Sequence, residues 1–92
     1  MRKKKYQILT EVEYYLYKIG SANDAEDHQY LEEASRMRSE ASASLYSLLE
    51  QDPTLNNLLP GLLTELDTGH IFGYGWSMLL DQINEFRITT KE

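Results

Sequence analysis

No glycine or proline falls between Asp24 and Asp52, and along that stretch Leu31, Ala34, Met37, Ala41, Leu45 and Leu48 recur at the three- and four-residue spacing of one helical face. A run of this length without a turn-former excludes a meander of short strands and predicts one helix over residues 24–51. At about 1.5 Å per residue it would be a rod of roughly 40 Å. Asn23 with Glu26 three residues on approximates a capping box, and Glu26 and Asp27 would then face the positive end of the helix dipole. Glu32, Glu33, Glu40 and Glu50 fall on the other side as a solvated acidic face. Ala34 to Ser44 is mostly alanine and serine, a composition that lets another backbone approach closely.

Upstream, Ile8, Leu9, Val12, Tyr15, Leu16 and Ile19 define a second apolar stripe, which predicts a helix over 6–19 that stops at Gly20, a residue free to adopt the left-handed conformation of a helix end. Tyr14 and Tyr17 stand one turn apart on the opposite side of this helix. Downstream, Asp52-Pro53 pairs a capping residue with proline at a first helical position, predicting a short helix over 53–59 and a further helix from Pro60 to Asp67. The last helix is expected over 69–86. Were residues 58–86 one straight helix, the Leu58 to Leu66 face and the Phe72, Trp76, Leu79, Ile83, Phe86 face would differ in phase by about 90°, which calls for a bend near Asp67 to Gly69. Residues 87–92 read as a tail, as do the basic residues Arg2 to Lys5 at the other end.

The fold class that follows is all-α: a small helical bundle of one domain, built on two long helices with an N-terminal helix and a short connecting helix. Five glycines and two prolines are too few for the turns of an all-β domain, and 41% hydrophobic with 26% charged residues argues against disorder along the whole chain. The last helix carries Ile71, Tyr74 and Met78 at helical spacing beside its main stripe, which narrows its polar side to the strip Ser77, Asp81, Asn84 and Glu85. A helix apolar nearly all round must be covered nearly all round, either by a central position in the bundle or by burial in a subunit interface, and a homo-oligomer is expected.

The absence of cysteine removes disulfides and thiolate metal sites. The longest near-apolar run, Ile71 to Leu80, is about half of a bilayer span, and the basic opening is followed by Glu11, Glu13 and Lys18 rather than an apolar signal core. A cytoplasmic location is therefore expected. Net charge is −6, but Arg2 to Lys5 hold four of the nine basic residues, so residues 6–92 set fifteen acids against five bases. Such a body repels nucleic-acid phosphates and attracts basic protein surfaces, with the Arg2–Lys5 run able to add only a weak, salt-sensitive phosphate or membrane-surface contact.

No motif names a reaction. The two histidines stand in Asp24-x-x-x-His28 and Asp67-x-x-His70, whereas a two-metal helical bundle needs two Glu-x-x-His pairs and two further carboxylates. Gly69 to Gly75 lacks the lysine and hydroxyl ending of a phosphate loop and follows no strand. The stretch Ala41 to Pro53 resembles the second helix of a tetratricopeptide repeat over about a dozen residues. Gln29 and Glu32, however, stand where the first helix of such a repeat needs small and aromatic residues, so the likeness assigns no family.

No catalytic residue, cofactor or metal is assigned. The expected function is protein–protein interaction, as a small acidic regulator, inhibitor or adaptor, with Tyr14, Tyr17, Ile71, Tyr74 and Met78 as interface residues and a basic protein surface as partner. The alternative is a small-molecule binder with a pocket at Phe72, Gly73, Gly75 and Trp76. A metal-dependent enzyme using Asp67 and His70 or Asp24 and His28 ranks third.

Overall fold

The computed structural model describes residues 5–69, 71 and 73–90. Five helices follow one another: α1 (Lys5–Asp27), α2 (Leu31–Gln51), α3 (Leu55–Leu58), α4 (Leu62–Asp67) and α5 (Gly73–Thr90), with no strand among the described residues. The fold is all-α and rests on packed long helices. It differs from the sequence expectation in where the helices begin and end.

The first helix does not stop at Gly20 but runs through it to Asp27. The stripe Ile8, Leu9, Val12, Leu16 and Ile19 is buried, and it stays in phase into Ala22, which is fully buried as well. Gly20 is a packing notch rather than a cap: a Cβ placed there would lie 2.8 Å from Trp76 Cζ2. The chain turns instead at His28 to Tyr30. Gln29 takes a positive φ of 68°, the Tyr30 N–H donates to Ala25 O (2.9 Å) and the Gln29 N–H to Glu26 O (2.9 Å). These are the two bonds of a Schellman motif, with glutamine where glycine is usual. The capping box at Asn23 and Glu26 therefore does not exist, and Glu26 and Asp27 lie at the negative end of α1 rather than the positive end of a new helix.

The three-residue turn folds α2 back along α1 as an αα-hairpin. The small residues Ala34 and Ala41 are buried and let the two backbones close, while Leu45 and Leu48 fill the space below them. Leu31, at the turn end of the hairpin, is exposed, and Met37 is half-buried. The rod expected over 24–51 is thus 21 residues long, beginning at Leu31.

Asp52 accepts hydrogen bonds from the Thr54 N–H and hydroxyl, so Pro53 and Thr54 form a turn and α3 starts only at Leu55. Residues 52–69 are two short helices broken at Leu59 to Gly61. Leu55, Leu59, Leu62 and Leu66 are buried in the same core that takes the apolar residues of α1, α2 and α5. After Gly69 (φ 80°), α5 begins at Gly73 (φ 58°), four residues later than the stripe suggested. It also continues to Thr90. The β-branched residues Ile88, Thr89 and Thr90 disfavour a helix only weakly, and adding residues to a helix already formed is far easier than starting one. Arg2 to Lys4 lie outside the described residues, and Lys5 opens α1.

Candidate interaction face along the first and last helices

One side of α1 carries the contacts that fix α5. Trp76 lies against Gly20, and its Nε1–H donates to Leu16 O at 2.7 Å, so the indole is held by a helical carbonyl and is half-buried. Tyr17, one turn before Gly20, meets the Trp76 ring edge to face, with centroids 6.4 Å apart and planes at 76°. Tyr14, a further turn back, meets Tyr15 at 5.2 Å, and Lys18 Nζ stands 6.0 Å from the Tyr14 centroid. Tyr14 and Tyr17 remain 59% and 53% exposed, so the 53–66 segment does not cover them.

One turn beyond Gly20 a polar tie sets where α5 starts. Asn23 Nδ2 donates to Ile71 O (3.0 Å), and Arg38 of α2 donates to Asn23 Oδ1 (2.6 Å) and to Glu26 (3.4 Å). The Arg38 side chain is largely buried. The tie joins α1, α2 and the entry to α5 through one guanidinium, whose planar fork suits two partners at once.

Between this tie and Trp76 lies an open cleft of about 360 Å³, lined by Gly20, Asn23, Asp24, Glu26, Asp27, Gly73 and Trp76. Its three carboxylates differ in their company. Glu26 is paired with Arg38, whereas no arginine or lysine among the described residues pairs with Asp24 or Asp27. His28 Nδ1 stands 3.9 Å from the Asp24 carboxylate and donates to the Asp24 carbonyl at 2.9 Å. That hydrogen bond, with the charges of Asp24 and Asp27, holds the His28 pKa above its ordinary 6.5. No basic residue stands in the last turn of α1. The carboxylates and the negative end of the helix dipole therefore add, an arrangement that costs helix stability and concentrates negative potential.

The expected interface residues do not form one surface. Ile71 is buried at 2% exposure by the chain's own packing, and Met78 is half-buried, its Cε 3.1 Å from where a Gly61 Cβ would stand. Tyr74 is 83% exposed on the outer side of α5, the side that also carries Ser77, Asp81, Asn84 and Glu85. Of the expected pocket, Gly73 and Trp76 line the cleft, and Phe72 lies outside the described residues. Gly75 instead faces α4, where the Glu65 carboxylate occupies the space a Cβ would need. Asp67 accepts a hydrogen bond from the Tyr46 hydroxyl (2.7 Å), which holds the Tyr46 pKa above 10.0, and His70 lies outside the described residues. Among the described residues no three histidine, aspartate or glutamate side chains converge as a metal site, and no helix is long and apolar enough to cross a membrane.

The acidic wall of the cleft was not legible from the sequence because it depends on where α1 ends. The signal present was the apolar phase running unbroken through Gly20 to Ala22. Compared with family models, curated proteins and solved structures, the chain matches none.

Proposed function

We propose that the protein is a small acidic interaction module that docks a basic protein surface on the side of α1 facing α5, and so regulates, inhibits or adapts that partner. The observation that carries this reading is the exposure of Tyr14 and Tyr17 on a helix whose apolar stripe is already buried. They lead along α1 to Trp76 and on to Asp24 and Asp27. Aromatic side chains are enriched at interfaces because they bury a large area at little conformational cost, and an acidic surround speeds encounter with a basic partner. From Tyr17 to Asp27 the face runs roughly 15 Å along the axis, about the length of four to five extended residues, with Tyr14 further round the helix.

The test is Tyr14→Ser with Tyr17→Ser. We expect the double variant to unfold at nearly the wild-type midpoint and to lose basic proteins that the wild type retains on gentle purification. Loss of folding in the variant would make the tyrosines core residues, and retention of the same partners would place the interface elsewhere.

The homo-oligomer expectation has a narrower basis than the sequence gave it, since among the described side chains of α5 the large apolar ones left exposed are Tyr74 and Ile88. Native mass spectrometry reads it directly, and a single-chain mass would remove it. The small-molecule reading retains the cleft beside Trp76 as its one support.

A further inference from the structure

We propose that the cleft between Trp76 and the last turn of α1 receives an arginine side chain of the basic partner, and is thus the anchor point of the interaction face. This rests on the interaction reading above and adds the chemistry of what is bound. Charge complementarity selects the occupant. Asp24 and Asp27 flank the opening without a lysine or arginine partner among the described residues, and the negative end of α1 reinforces them. The aromatic wall selects within the cations. Trp76 is held in place by Leu16 O and Gly20, and a fixed indole attracts a cation through its ring quadrupole while offering a plane on which guanidinium stacks. A planar fork meeting two carboxylates forms directional bonds that an ammonium cannot match. The size agrees, since about 360 Å³ is ample for one long side chain and small for a folded element. Asn23 and Arg38 brace the far wall, so the opening is formed before the partner arrives.

Asp24 and Asp27 are exposed and Glu26 is already paired, so changing the first two disturbs only the exposed contact of Asp24 with His28. The probe is a seven-residue peptide alternating glycine and arginine, with a second peptide in which citrulline, the neutral isostere, replaces arginine. Binding is followed at low salt by emission of Trp76, the single tryptophan. The arginine peptide should change Trp76 emission saturably. The citrulline peptide, and the arginine peptide on Asp24→Asn/Asp27→Asn, should each bind about tenfold more weakly or worse, the effect of losing two exposed charge pairs. The variant's unfolding midpoint should be unchanged or higher. Equal affinity of wild type and variant for the arginine peptide would overturn the cleft as the anchor while leaving a basic partner in place. No binding to the wild type at millimolar peptide would overturn it as well, and the wider reading is then judged by the tyrosine variant alone. Arginine amide binding as tightly as the peptide would make the occupant a free cation and overturn the docking assignment.

Discussion

Replacing Gly20 by alanine sets two physical effects against each other. In an exposed helix interior the change stabilises by about 1 kcal/mol, because glycine gives up more backbone freedom on folding. Here the new methyl would stand 2.8 Å from Trp76 Cζ2 and 3.3 Å from Cε2. The indole cannot slide away freely, because the same edge carries the Nε1–H bonded to Leu16 O. Overpacking of this kind costs about 1–3 kcal/mol, and loss of the indole hydrogen bond about 1 kcal/mol more. The net expectation is destabilisation by about 1–3 kcal/mol. Each kcal/mol lowers the thermal midpoint of a domain this size by roughly 4–8 °C. Urea unfolding followed by circular dichroism gives the free energy, and Trp76 emission at zero denaturant reports whether the ring has moved. A variant more stable than the wild type by about 1 kcal/mol, with unaltered emission, would refute the seating of Trp76 on Gly20. It would also remove the cleft with it.

Three further outcomes follow from the same geometry. Gln29→Gly should stabilise the protein by about 1 kcal/mol, since glutamine at φ 68° bears a left-handed penalty that glycine does not; chemical denaturation showing a loss would mean the Gln29 side chain contributes more than its backbone costs. Asp24→Asn and Asp27→Asn should each stabilise α1 by about 0.3–1 kcal/mol at low salt, with the gain fading as salt rises, because each removes a negative charge from the negative end of a helix. His28 should titrate above 6.5 by NMR, and Asp24→Asn should bring it down. Because the folded-state pKa is raised, any stabilisation from His28 is fully present below the unfolded pKa and is lost as pH rises through the folded value. A histidine titrating below 6.5 would contradict its hydrogen bond to Asp24.

The helical class and the buried stripes were readable because apolar periodicity reports the buried side of a helix directly. Ile8 to Ile19 and Ala34 to Leu48 are the clearest cases. Helix ends were less readable because the same residue types serve two roles. Gly20 reads locally as a stop because glycine ends many helices, but a distant tryptophan needs its missing Cβ, and a contact 56 positions away leaves no local mark. Asn23 has the chemistry of a cap and uses it instead to bind the Ile71 carbonyl and Arg38. The true turn sits on Gln29, a residue with no preference for positive φ, where packing of the hairpin overrides the local cost. Exposure of Tyr14 and Tyr17 was visible from their phase, but the carboxylates beside Trp76 depend on where α1 ends and on how α5 crosses it.

The way α5 is attached has a consequence for the timing of recognition. The α1–α2 hairpin is joined along its length through a three-residue turn, whereas α5 is held by residues distant in sequence, with Trp76 on Gly20 and Leu16 and with Leu79 and Ile83 buried in the common core. Local contacts form early and open last, so α5 should detach as a separate unit at a lower free energy than the hairpin, and amide exchange should show its protons leaving first. One wall of the cleft, at Trp76 and Gly73, belongs to the part that detaches. Ligand binding would then lock α5 down, and slower exchange in α5 would register a partner that never touches most of that helix.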